Sequence, residues 1–207
     1  VLEPTELYEA KSGEEIVSEQ MYTFEDRGER RVSLRPEMTP TVARMVARRR
    51  QELALPVRWY SIPNLFRYEN PQRGRLREHY QLNVDIFGVN GLDAELEMIQ
   101  LACSLLHSFG ADDSTFLIKL NSRKVLDALY ERYEISSESA YTLSKVLDRK
   151  AKLDESAFRD AVAYILGGKT DEFLELIQST PTLIDRLFEK NDGVREIVEL
   201  IERLETR

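Results

Sequence analysis

Arginine is concentrated in one short part of this chain. Between positions 44 and 77 there are nine arginines and only two acids, although the 207-residue chain has a formal charge of −8. A guanidinium group is planar, stays charged and can bond two oxygens of a phosphate or carboxylate at once. A local basic segment in an acidic chain favours a phosphate site, or a contact with an acidic partner, over general coating of nucleic acid. The nine are Arg44, Arg48, Arg49, Arg50, Arg58, Arg67, Arg73, Arg75 and Arg77.

Several of these arginines fall on a predicted β-hairpin over residues 57–88. Its outgoing run has the aromatic and β-branched content of a strand, and its returning run alternates with the period of a strand. Proline and glycine in the connection between the runs suit a loop. Near the loop, Glu69 could pair with a neighbouring arginine. One face of the returning run would carry Gln81, Asn83, Asp85 and Phe87.

A second block of interest, residues 33–40, reads SLRPEMTP. Thr39 followed by Pro40 predicts the start of a helix, with Thr39 as the N-cap and proline in the first turn. Glu37 would then favour the helix dipole. Glu37 and Thr39 are also acceptors suited to an α-ammonium group, and both interpretations can hold together.

These two blocks carry a family resemblance. The text FRYENPQRGRLREHYQLNVDIFG resembles motif 2 of the class II aminoacyl-tRNA synthetases and is most similar to the histidyl-tRNA synthetases. LRPEMT looks like that family's LRPEGT element, with Met38 where glycine is common, and EQMYTFED (19–26) resembles its EMYTF-D strand. The match is specific from about Leu2 to Tyr130.

The resemblance implies ATP-dependent joining of histidine to tRNA(His) by way of histidyl-adenylate, with Mg2+ at the phosphates. It implies that Arg67 is the catalytic residue, bridging the amino-acid carboxylate and the α-phosphate. Glu69 would accept from the adenine amino group, Arg75 would reach the terminal phosphates, and Asp85 would accept from the imidazole N–H. No metal ligand is implied in the chain itself. The histidine-binding residues would be Glu37, Met38, Thr39, Arg67, Gln81 and Asp85.

We predict an α+β fold with two parts. Residues 1–130 would form a partial class II catalytic core, a synthetase-like antiparallel sheet with flanking helices. Residues 131–207 would form an all-helical insertion module. Within the core we expect a helix with an apolar, core-facing stripe over 92–109 and a strand over Phe116–Leu120. The helices expected in the module are 136–149, 155–166, 170–178, 181–189 and 193–206.

By the same resemblance, the chain looks like a fragment of a larger synthetase. We expect it to have little or no activity alone and the intact protein to be a homodimer. Cys103 is the only cysteine, which excludes an intrachain disulfide. No run approaches the roughly 18 apolar residues of a membrane span, and no signal-peptide pattern is present. We therefore expect a cytoplasmic protein.

Two other functions remain open. The regulatory subunit of ATP phosphoribosyltransferase resembles the same catalytic domain, lacks tRNA charging and often has LRPDMT-like text. A nucleic-acid-binding module without catalysis would rest on the arginine cluster alone. The only histidines, His79 and His107, have no evident acid–base partner in the pattern, and we predict that neither is a catalytic base.

Overall fold

A computed structural model describes residues 1–178 and 191–206. Contacts divide the chain into two units, Val1–Gly91 and Leu92–Arg207. The first unit combines short antiparallel strands with helices, and the regular elements described in the second are all helical. The predicted α+β fold class is confirmed.

The N-terminal sheet has three short antiparallel strands, in the order β1, β3, β2. The buried hydroxyl of Ser33 in this sheet is hydrogen-bonded to that of Thr5, which follows the first strand, at 2.9 Å. The first and second strands have only three residues each, too few for an alternation to be visible in the sequence. The strands are β1 (Leu2–Pro4), β2 (Thr23–Glu25) and β3 (Arg31–Leu34), with helix α1 (Thr5–Glu9) and a π-helical turn (Ile16–Gln20) between β1 and β2.

The predicted hairpin is confirmed as two ladders that keep one antiparallel register. The outer ladder pairs β4 (Val57–Ser61) with β7 (Asn83–Phe87), and the inner ladder pairs β5 (Asn64–Phe66) with β6 (Glu78–Tyr80). Between them lies Pro63, which has no N–H to donate to a ladder. Its carbonyl still accepts from the Gln81 N–H at 3.1 Å, so the ribbon continues across the interruption.

Helix α2 (Thr39–Arg49) connects the N-terminal sheet to the hairpin. It buries Val42 and Val46, and its Thr41 hydroxyl lies 3.3 Å from the hydroxyl of the fully buried Tyr8. The prediction that Thr39 is the N-cap is wrong, since Met38 holds that position and makes no side-chain capping bond. Thr39 is the first helical residue, and its hydroxyl is used in contacts with the hairpin instead.

The second unit is built from helices with polar caps. Ser136, Asp154 and Asn191 each precede a helix and accept a hydrogen bond from a backbone N–H three residues later, as N-cap side chains do. Leu143 and Val162 are fully buried in the apolar core between the helices. The described helices are α3 (Asp93–Ser108), α4 (Arg123–Arg132), α5 (Ser137–Asp148), α6 (Glu155–Leu166), α7 (Thr170–Gln178) and α8 (Asp192–Glu205).

Predicted helices 136–149, 155–166, 170–178 and 193–206 are confirmed to within a residue or so at their ends. The predicted helix at 181–189 lies outside the described residues. No helix in the described ranges has both the length and the apolar character needed to cross a bilayer.

Two predictions for the second unit are wrong. Phe116–Leu120 is not a strand, because no strand in the described part of the chain pairs with it and a strand requires a ladder. The stripe on α3 is buried only at Leu96, whereas Phe109 is 89% exposed. Periodicity shows that a helix has an apolar face, but it does not show that another element covers that face.

The contact division falls after Gly91, well before the predicted boundary at residue 130. Helix α3 belongs to the helical unit, where Asp93 is ion-paired with Arg203 of α8 at 2.5 Å. The boundary at 130 was placed where strand alternation ends and the pattern becomes all helical, which is a different criterion from contacts, and it stays a prediction.

Candidate active site

Arg67 connects the two blocks that carry the resemblance. It follows β5, and its backbone N–H donates to the carbonyl of Arg77 on the returning strand at 2.9 Å. Its Nε donates to the Pro36 carbonyl at 2.9 Å, next to Glu37 in the other block. A guanidinium has five N–H donors, so the four on the Nη atoms remain for other oxygens. The side chain is half-buried and held at Nε by this bond.

The LRPEMT segment is attached to the hairpin at a second place. Arg35 donates from Nε to the Asn64 carbonyl and from Nη2 to Asn64 Oδ1, both at 2.8 Å, and its own carbonyl accepts from the Phe66 N–H at 3.0 Å. These bonds hold the segment beside β5. Residues distant in sequence are thereby brought to one side of the ribbon.

Asp85 lies in a small hydrogen-bond network with Thr39 and Asn83. Asn83 Nδ2 donates to Asp85 Oδ2 at 2.5 Å, and the Thr39 hydroxyl lies 3.4 Å from Asp85 Oδ1 and 3.3 Å from Asn83 Oδ1. Burial raises the pKa of the Asp85 carboxyl above its ordinary value, and the hydrogen bonds from Thr39 and Asn83 act in the opposite direction. Thr39 and Asp85, both predicted as site residues, are therefore brought together. Asn83 was not predicted, although its alternation with Asp85 was the available signal.

Glu37 and Met38 are half-buried beside this network, at the start of α2. Glu37 Oε1 accepts from the Ser12 hydroxyl at 2.5 Å. Ser12 has no sequence signal, since it lies 25 positions away in an unpatterned segment. Gln81 is exposed at the interruption of the ribbon, and its side chain makes no hydrogen bond to any other residue in the described ranges.

Glu69 and Arg75 form an ion pair across the hairpin loop. Arg75 Nε contacts Glu69 Oε2, and Arg75 Nη2 lies 3.3 Å from Glu69 Oε1. The Glu69 side chain is 8% exposed and that of Arg75 is 60% exposed. The pair borders a polar cleft of about 280 Å³ whose other wall includes Glu15 and Glu19. The sequence left open whether Glu69 pairs with a neighbouring arginine, and the structure shows that it does. Contacts of Glu69 or Arg75 with ATP stay a prediction.

The nine arginines do not form one site. Arg77 lies over the Tyr68 ring at 4.0 Å and donates to the Glu69 carbonyl at 3.0 Å, so it braces the loop. Arg44 is ion-paired with Glu3 at 2.9 Å. Exposed positions on the hairpin loop and at the end of α2 are occupied by Arg48, Arg49, Arg50 and Arg73.

The prediction that neither histidine is a catalytic base is not tested by the structure. His79 lies opposite Leu65 in the inner ladder, and His107 Nε2 is 2.9 Å from Asp113 at the surface of the helical unit. Among the residues that the structure describes, no three histidine, cysteine or acidic side chains converge as a metal site.

Comparison with known proteins places the chain in a family. The family model for histidyl-tRNA synthetase matches residues 1–206. A histidine–tRNA ligase from Leptospira biflexa serovar Patoc is 52% identical over 159 residues, which is 76% of this chain and 36% of that protein. The chain therefore spans little more than a third of the length of this relative.

Two solved structures have the same fold. One, from Bacillus halodurans C, is described as an ATP phosphoribosyltransferase regulatory subunit/histidyl-tRNA synthetase, with a TM-score of 0.80 and 22% identity over 99% of this chain and 54% of that one. The other, histidyl-tRNA synthetase from Nostoc sp. PCC 7120, has a TM-score of 0.79 and 21% identity over 99% of this chain and 48% of that one. The predicted class II synthetase-like fold is confirmed. With a family model that matches 1–206, this chain belongs to the histidyl-tRNA synthetase family.

Proposed function

We propose that the whole protein is a histidine–tRNA ligase, which activates histidine with ATP to histidyl-adenylate and transfers it to tRNA(His). The observation that carries this proposal is the placement of Arg67. Its Nε donates to the Pro36 carbonyl at 2.9 Å, while its Nη groups remain for oxyanions. Both reactants of the activation step are anions, so their approach requires a fixed cation between them. Arg67 supplies that cation where the two family motifs meet.

In this mechanism Arg67 bonds the histidine carboxylate and the α-phosphate and stabilises the extra negative charge of the transition state. Arg75 neutralises the terminal phosphates, and Glu69 accepts from the adenine amino group. For both to contact ATP, their ion pair must open. Arg75 is 60% exposed, but the Glu69 side chain is only 8% exposed, so the adenine amino group must replace Arg75 as the partner of the Glu69 carboxylate when the pair opens.

Histidine would be held at both of its polar ends. Glu37, Thr39 and Gln81 accept from the α-ammonium group, with Met38 beside them, and Asp85 accepts from an imidazole N–H. The Thr39 hydroxyl can donate its one proton within the Asp85 network and still accept from the α-ammonium group of histidine, because it also has two lone pairs. A phenylalanine in this site would have no N–H for the free lone pair of the Asp85 carboxylate, which is a strong basis for rejecting phenylalanine.

Mg2+ would enter with ATP. Mg2+ in such sites is usually bound mainly through substrate phosphates. When present it would neutralise charge on those phosphates. We further propose that the whole protein is a homodimer and is cytoplasmic. Light scattering of the purified protein would test the homodimer.

The decisive experiment combines calorimetric titration with histidine-dependent pyrophosphate exchange and tRNA(His) charging by the whole protein. We expect histidine to bind, exchange to require both histidine and ATP, and Arg67→Ala to lose exchange. Histidine binding without exchange or charging would refute the ligase proposal and support the alternative, a regulatory subunit of ATP phosphoribosyltransferase. That alternative is kept because one structure of the same fold carries both descriptions.

A further inference from the structure

Asn83 occupies the centre of the network around Asp85. Its amide donates from Nδ2 to Asp85 Oδ2 at 2.5 Å and offers Oδ1 to the Thr39 hydroxyl at 3.3 Å. The same hydroxyl lies 3.4 Å from Asp85 Oδ1. The three side chains therefore connect β7 to the first turn of α2, and each Asp85 oxygen has a donor beside it.

The number of protons and lone pairs available defines what this network can do. A carboxylate has about four lone-pair sites; Asn83 occupies one on Oδ2, and the single Thr39 hydroxyl proton is shared between Asp85 Oδ1 and Asn83 Oδ1. At least one site per oxygen remains, in the plane that these donors have set. The half-buried Asp85 thus presents an acceptor of fixed direction, as a ligand N–H requires.

We propose that Asn83 is a positioning and specificity-determining residue: together with Thr39 it fixes the Asp85 carboxylate so that a free lone pair meets the imidazole N–H of histidine. This inference rests on the proposed function. Asn83 acts through Asp85 and does not itself touch the reacting atoms.

A second consequence of the bond concerns protonation. A hydrogen bond to a carboxylate favours its charged form, so removal of the Asn83 amide raises the pKa of Asp85 further. Helix α2 and strand β4 pack against β7. They bring Thr39 and the cross-strand partner Trp59 to Asp85, and Glu37, two positions before Thr39, is a second carboxylate that is the same in every variant. The acid limb is the decline of histidine affinity at low pH. Differences in the acid limb between variants therefore report on Asp85, because free histidine and Glu37 are common to all of them.

The test is calorimetric titration of L-histidine into the whole protein between pH 5 and 8, with wild type, Asn83→Ala and Asn83→Asp. We expect Asn83→Ala to weaken histidine binding by about 10- to 100-fold, the loss expected for a hydrogen bond to a charged group. The preference for histidine over phenylalanine should fall by a similar factor, the ATP affinity should be unchanged, and the acid limb should move to higher pH. Asn83→Asp preserves the shape of the side chain but replaces the donor with a second carboxylate. The acid limb of histidine binding should therefore move to still higher pH in this variant.

Asn90→Ala is the matched control. Asn90 is an exposed residue in the loop that follows β7 and takes no part in the Asp85 network, so loss of its amide should leave the acid limb and the amino-acid preference unchanged. If wild type and both Asn83 variants bind histidine with equal affinity and equal acid limbs, the inference fails while the proposed function stands. If wild type binds no histidine, the proposed function fails with it.

Discussion

Replacing Arg67 with lysine separates the shape of the guanidinium from its charge. Arg67 uses its Nε–H on the Pro36 carbonyl at 2.9 Å and keeps the planar Nη fork for oxyanions. A lysine ammonium carries the same charge but has three donors at one point, so it cannot hold Pro36 and bond two oxyanions in parallel. The substitution therefore removes at least one charge-assisted hydrogen bond from the transition state.

The size of the effect follows from that lost bond. A hydrogen bond to a charged group contributes about 1.5–3 kcal/mol, so kcat/KM for ATP in pyrophosphate exchange should fall about 10- to 150-fold. The Pro36 contact is weakened as well, and we expect the free energy of unfolding to fall by only about 1 kcal/mol. Exchange by the whole protein and its urea denaturation measure the two quantities independently.

Arg73→Lys is the control, because Arg73 is an exposed loop residue of the same hairpin and should tolerate the change in both assays. The reasoning is refuted if Arg67→Lys retains kcat/KM within about twofold of wild type. Arg67 would then only hold the two segments together, and its Nη groups would have no role in the reaction.

Three further predictions concern other parts of the molecule. Arg75→Ala should raise the KM for ATP but not for histidine in exchange assays, and should also lower the free energy of unfolding, because it leaves the Glu69 carboxylate, whose side chain is 8% exposed, without its partner; an equal rise in both KM values would contradict the role at the phosphates. Histidine affinity should decline as the pH falls through the raised pKa of Asp85, since the protonated carboxyl loses an acceptor, and in calorimetry Asp85→Asn should abolish the part of this decline that remains after the titration of free histidine is subtracted; an unchanged profile would contradict it. Leu143→Ala, at a fully buried position, should lower the free energy of unfolding by about 2–5 kcal/mol in urea denaturation, whereas Tyr141→Ala, at a position 54% exposed, should cost far less; similar losses would contradict the assigned core.

Long elements with a clear period were predictable from sequence. The hairpin is one case, because two runs of strand-like composition around a proline- and glycine-containing loop leave few other pairings, and the observed ladders share one register. Helices such as α6 and α7 were predicted at their observed bounds, since their apolar periodicity indicated the same limits.

Elements that depend on a partner were not predictable in the same way. Phe116–Leu120 has the composition of a strand but lacks a ladder among the described residues, and composition cannot supply one. Thr39 has the chemistry of an N-cap, yet its hydroxyl is used on Asn83 and Asp85 instead. In both places a distant segment decided between alternatives that local sequence leaves equal.

The amino-acid sequence by itself determined the family, the hairpin and the residue types able to bind phosphate and carboxylate groups, because these depend on local pattern and side-chain chemistry. Only the tertiary structure decided which groups meet. It attached Arg67 to Pro36, paired Arg75 with Glu69 and closed the network of Asn83 with Thr39 and Asp85. Hydrogen bonds act over about 3 Å, a distance that chain positions 31 or 46 residues apart do not specify until the backbone has folded.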